Sequence, residues 1–191
     1  MNRERGTTLL TLARNAIAAE LGAPQQPCAE ASWLESPGAS FVTLTQNGEL
    51  RGCIGNLEAD RALRTDVQAN ARAAAFHDPR FPALTLQDYP DLQIEVSVLS
   101  STMSLDFDSE QHALAQLRPG IDGIVLEYQR HRSTFLPQVW EQLKEPRAFL
   151  GALKQKAGLR ADFWHPDIKL SRYTVEKWRE GELDEQRPES A

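Results

Sequence analysis

The chain has 191 residues, 41% hydrophobic and 25% charged. That balance excludes collagenous, disordered and disulfide-scaffold classes, and a chain of this length buries roughly 70% of its unfolded surface without metal or disulfide staples. With 21 Lys and Arg against 27 Asp and Glu the net charge is −6, which disfavours attraction to nucleic-acid backbones or anionic membranes. No apolar run approaches the roughly 20 residues of a membrane helix, and Met1 to Arg5 has no secretory apolar stretch behind it, so a cytoplasmic protein is expected.

In chain order, Thr7 or Thr8 is expected to cap a helix reaching about Glu20, because Leu9, Leu10, Ala13, Ile17 and Leu21 recur at helical spacing and Gly22 supplies a left-handed stop. Residues 23–38 carry Pro24, Pro27, Pro37 and Gly38 and read as a loop that contains Cys28. Phe41 to Gln46 and Glu49 to Ile54 flank Asn47-Gly48, the strongest short hairpin signal, since both turn positions need positive φ. A two-residue loop sets Gln46 opposite Glu49, Leu44 opposite Arg51 and Val42 opposite Cys53, so that Arg51 and Cys53 share a face.

Asp60 is expected to cap a second helix through Phe76, with Leu63, Val67, Asn70, Ala71 and Ala74 on one stripe and His77-Asp78-Pro79 as its end. Leu92, Ile94, Val96 and Val98 alternate with Gln93, Glu95 and Ser97, as in a strand with one buried face. Asp108 caps a short helix to Leu117, and Pro119-Gly120 breaks it. Ile124 to Tyr128 and Arg132 to Leu136 form a strand pair joined by Gln129 to His131. Two helices follow, Pro137 to Lys144 and Arg147 to Ala157, and then one late strand from Ile168 to Trp178. Residues 1–7 read as a flexible lead-in, 8–180 as a single domain, and 181–191 as a disordered acidic tail. This order lacks strict βαβ alternation, so an α+β fold with a mixed or antiparallel sheet and flanking helices is expected.

Motifs of common hydrolases and nucleotidases are absent: there is no G-x-x-x-x-G-K-[ST], H-E-x-x-H or G-x-S-x-G. The 4 histidines are scattered, and Asp106 and Asp108 lack further oxygen ligands, so neither a metal nor a cofactor is implied. Cys28 and Cys53 read as free thiols. What stands out is Leu50-Arg51-Gly52-Cys53-Ile54-Gly55, where Gly52 and Gly55 interrupt a strand and mark close backbone approach. A guanidinium at Arg51 would lower the Cys53 pKa from a free value of about 8.5 and make a nucleophile. The commoner role of such a thiol is core packing. Asn70, if buried, must have a partner; it either braces a neighbouring backbone or contacts a substrate. Asp78 and Arg80 can form an ion-paired turn. Glu95 interrupts its strand face and either is solvated or meets Arg51 or Arg80 beside Cys53.

The same segments resemble the AMMECR domain family. Leu50 to Gly55 is similar to its six-residue signature, and further blocks follow in order: Phe41 to Leu44, Asn70-Ala71, Ala74 to Phe76, Asp78 to Pro82, Ile94 to Leu99, Asp122-Gly123, Thr134 to Trp140, Phe149-Leu150, Lys156 to Leu159 and Arg172-Tyr173. The resemblance spans about Thr8 to Glu180 and implies an α+β fold with a major and a minor lobe. It also implies a place as protein A of the AmmeMemoRadiSam system, beside a Memo-like protein and a radical S-adenosylmethionine enzyme. Two functions are then expected as alternatives. One is a binding or accessory component that presents the signature hairpin and the Asp78 to Pro82 turn. The other is a small enzyme with Cys53 as nucleophile, Arg51 as activator and Asn70 or backbone N–H groups positioning an oxyanion.

Overall fold

The computed structural model describes residues 3–182. In chain order its elements are α1 (Arg3–Leu21), β1 (Ser40–Gln46), β2 (Glu49–Gly55), α2 (Leu63–Phe76), β3 (Leu92–Leu99), β4 (Met103–Ser104), α3 (Glu110–Gln116), β5 (Gly123–Tyr128), β6 (His131–Phe135), α4 (Pro146–Lys156), β7 (Lys169–Tyr173) and β8 (Val175–Arg179). The fold is α+β, with two antiparallel four-stranded sheets ordered β2-β1-β3-β8 and β4-β7-β5-β6. Among the described residues two compact units result, one comprising 3–99 together with 176–182, the other Ser100–Val175.

In the first unit, α1 begins at Arg3, ahead of the expected cap, so residues 3–7 are helical. Thr7 and Thr8 do not cap. Their hydroxyls donate to the carbonyls of Arg3 and Glu4, 3.1 and 3.0 Å away, within the helix, the back-bonding open to a hydroxyl inside a helix. Asp60 does not cap α2 either, and Ala62 precedes its first residue. The start is fixed by backbone bonds instead: Leu63 N donates to Ser36 O at 2.9 Å and Gly38 N to Arg61 O at 3.1 Å, so the preceding loop supplies what a capping side chain would. One face of the sheet, with Val42, Leu44, Ile94 and Val96, forms a single core with Leu9, Ala13 and Ile17 of α1 and Val67, Ala71 and Ala74 of α2. Burial of this stripe, rather than helix propensity, stabilises both helices.

The end of β8 is latched. Glu180 accepts from Ile94 N at 2.9 Å and from Arg14 Nε at 2.6 Å, while its own N–H donates to Ile94 O at 3.0 Å. At the strand's other end, Ser100 N donates to Thr174 O, so β8 runs antiparallel to β3. The single late strand expected from Ile168 to Trp178 is therefore two strands, which divide at Thr174 and enter different sheets.

In the second unit, Ser109 rather than Asp108 is the cap of α3, accepting from His112 N at 3.2 Å, and Asp108 in turn accepts from the Ser109 hydroxyl. Gln129 takes φ 52, and Tyr128 pairs with His131, so the β5–β6 turn has two residues. The first of the two expected helices after Pro137 is a 3-10 turn, Pro137–Glu141, and the second is α4. Trp140 stacks on Phe149 with ring centroids 3.8 Å apart, and both join Ile124, Leu126, Leu150 and Leu153 in a second core. The Lys154 ammonium is fully buried against Glu110. Beyond Glu182, the expected acidic tail lies outside the described residues.

Candidate functional site

The site is built on the β1–β2 hairpin. Asn47 and Gly48 take φ 53 and 82, the two positive values of a turn that matches strand twist, and Gln46 pairs with Glu49 as expected. After Thr45 and Leu50 the register shifts by one: Leu44 pairs with Gly52, Thr43 with Cys53 and Val42 with Ile54. Arg51 is the extra residue of a bulge. The expected pairs Leu44–Arg51 and Val42–Cys53 do not form, and Cys53 lies opposite Thr43. With the bulge in place, Gly52 is the residue against α2, where a β-carbon would collide with the Ala74 carbonyl oxygen. At Gly55 a β-carbon would collide with the Phe41 ring and the Ser40 carbonyl. Both signature glycines thus permit close packing.

Arg51 directs its hydrogen bonds to backbone carbonyls rather than to the thiol. Its guanidinium donates to the carbonyls of Pro82 and Ala83 at 2.7 and 3.5 Å. The Cys53 Sγ lies instead 3.3 Å from Thr43 Oγ1.

Being an edge strand, β2 would leave the backbone of Cys53 unpaired on its free side. The turn after α2 closes it. Asp78 Oδ2 accepts from Cys53 N at 2.9 Å, and Arg80 Nη2 donates to Cys53 O at 3.1 Å. Arg80 also donates to Asp78 through Nε at 2.9 Å, Nη2 at 2.7 Å and its backbone N at 3.1 Å. The Asp78 side chain is 1% exposed and that of Arg80 54%. Hydrogen bonds from the Arg80 guanidinium outweigh burial, and the N–H groups of Cys53 and Arg80 add to them. Together they hold the Asp78 carboxyl far below the usual carboxylate range. The ion-paired turn read in the sequence is present, and it clamps the backbone of the signature cysteine.

On the sheet face opposite the core, β1 pairs with β3 so that Thr43 lies opposite Glu95. Cys53, Thr43 and Glu95 therefore form one row across three strands, each half-buried. Glu95 meets neither Arg51 nor Arg80, whose partners are the groups just described. Thr43 was not singled out in the sequence, because only the bulged register brings it to Cys53.

Asn70 is not part of this row. It is buried on the core side, where its amide donates to Ser40 O, Ser40 Oγ and Asp66 Oδ2 at 3.0 to 3.1 Å. Asp66, also absent from the sequence reading, is fully buried and accepts from Ser40 N at 2.8 Å, Ser40 Oγ at 2.6 Å and Arg61 Nε at 2.8 Å. Its sequence signal is its place one turn before Asn70 on the same stripe. The network anchors the start of β1 to α2, and every buried polar group in it is satisfied. Cys28 lies half-buried in its loop, and burial pushes its thiol pKa up. Among the described residues, no group of three or more His, Cys, Asp or Glu is placed to hold a metal ion, and no helix is long and apolar enough to cross a membrane.

Two antiparallel sheets with flanking helices, the first carrying a bulged hairpin whose edge is clamped, define an α+β protein. The chain belongs to the AMMECR1 family, whose model matches residues 10–178. It is 32% identical over 185 residues to a protein of Methanothermobacter thermautotrophicus, covering 94% of this chain and 96% of that one. A protein of Sulfurisphaera tokodaii is 34% identical over 186 residues, covering 91% and 81%. The crystal structure of an uncharacterized protein from Pyrococcus horikoshii is similar in fold, with a TM-score of 0.75, 31% identity and coverage of 92% of this chain and 91% of that one.

Proposed function

We propose that this protein is a binding component, protein A of an AmmeMemoRadiSam system, acting in the cytoplasm with a Memo-like protein and a radical S-adenosylmethionine enzyme. One observation carries the reading. The charged side chains around the signature are committed to holding the edge of β2: Arg51 to the Pro82 and Ala83 carbonyls, Asp78 and Arg80 to the Cys53 backbone. The thiol, the Thr43 hydroxyl and the Glu95 carboxylate remain displayed on a fixed sheet face. A preorganised surface of this kind lowers the ordering cost of association. The partners come from the family resemblance. The test is calorimetry of the purified protein against each partner with the partner's metals loaded, at micromolar concentration. Binding to at least one, lost in Thr43→Arg, is expected; no heat with either overturns the proposal.

A second reading keeps Cys53 as a nucleophile, favoured by its half-exposed thiol with a hydroxyl 3.3 Å away. Arg51 and Asn70 have no part in that version, since both are engaged elsewhere. Alkylation of Cys53 across pH, read by mass spectrometry with Cys28 as the internal control, tests it. A rate that titrates below the free-thiol pKa supports the nucleophile, and labelling only on unfolding rejects it.

A further inference from the structure

The row on the outer face of the first sheet continues past Glu95. Glu180 N donates to Ile94 O, so Arg179, one residue before Glu180, lies level with Glu95 on the neighbouring strand. The two opposite charges are not joined. The Arg179 guanidinium turns away to two neutral acceptors, Thr45 Oγ1 at 3.5 Å and Gln93 Oε1 at 3.4 Å. Among the described residues, neither a hydrogen bond nor an ion pair holds the half-buried Glu95 carboxylate. On this partly desolvated face Glu95 thus lacks a charge-assisted bond, and Arg179 has only neutral acceptors in place of an anion.

We propose that this face binds a free α-amino acid, its ammonium on Glu95 and its carboxylate on Arg179. Charge complementarity carries the choice of ligand: Glu95 and Arg179 stand on adjacent strands, whose backbones lie about 4.8 Å apart, and an α-amino acid offers an ammonium and a carboxylate on either side of one α-carbon. A peptide terminus offers only one of them, and a nucleotide offers only the anion. The ligand side chain then runs along the row toward Thr43 and Cys53. The proposal shares this face with the partner-binding reading but does not rest on it, and its test contains no partner protein.

The experiment is a titration of the ¹⁵N-labelled full chain with L-alanine, N-acetyl-L-alanine and L-alaninamide, followed by amide chemical shifts. Alanine is expected to give saturable shifts at Thr43, Cys53, Glu95 and Arg179. Each analogue lacks one charge and should bind at least about tenfold more weakly. In Glu95→Gln the penalty for N-acetylation should disappear, and in Arg179→Gln the penalty for amidation. Absence of saturable shifts with alanine, or equal binding of all three probes to the wild-type chain, overturns the proposal whatever the variants do.

Discussion

Replacing Asp78 with Asn tests whether the turn after α2 is what holds the signature strand. The carboxylate accepts from two backbone N–H groups, those of Cys53 and Arg80, and from two guanidinium nitrogens. An Asn amide keeps one acceptor oxygen and sets a donor against donors. Arg80 is half-exposed and regains water, so its share of the loss is discounted. The backbone N–H groups are less easily rehydrated, and losing their anionic acceptor costs about 2 to 4 kcal/mol. The sign of the pH dependence follows from the lowered pKa of Asp78. Its contribution is complete above the unfolded carboxyl value of about 4 and declines as pH falls toward the depressed folded value, by about 1.4 kcal/mol per pH unit. Urea unfolding of wild type and Asp78→Asn should therefore show equal differences at pH 7 and pH 5, and a difference smaller by about 1 kcal/mol near pH 3. Amide exchange at Cys53 should quicken in the variant. A stability difference below about 0.5 kcal/mol at neutral pH, or one unchanged near pH 3, refutes the clamp.

Gly52→Ala places a methyl against the Ala74 carbonyl and should cost about 2 to 3 kcal/mol in urea unfolding, whereas Gly48→Ala, with open space around it but φ 82, should cost about 1. A Gly52→Ala protein as stable as wild type would mean that α2 does not press on β2. Cys28 should alkylate more slowly at neutral pH than an unfolded cysteine peptide, with its midpoint shifted upward by burial. An unshifted midpoint would mean that the loop leaves the thiol in water.

Local chemistry determined much of this protein. The Asn47-Gly48 turn was legible because few residues tolerate two successive positive φ values, and the Gly22 stop, the α2 stripe and the Leu92 to Val98 alternation are periodic signals that one face of burial enforces. The Asp78–Arg80 turn was legible for the same reason, since its two partners are two residues apart. Register was not. The bulge at Arg51 depends on Gly52 meeting a carbonyl on α2, a contact between segments more than twenty residues apart in sequence, and a one-residue shift exchanged the neighbours of Cys53. Alternation from Ile168 to Trp178 carried no sign that the chain changes sheets at Thr174, because side-chain period says which face is buried and nothing of which strand lies alongside. Asp66 carried no mark in the sequence beyond its place one turn before Asn70 on the same helix. Only packing against the start of β1 made it a buried carboxylate with Ser40, Asn70 and Arg61 around it. Sequence thus set the elements and their buried faces, whose causes lie within a few residues, and tertiary structure set the row of Cys53, Thr43 and Glu95, whose cause is the pairing of three distant strands.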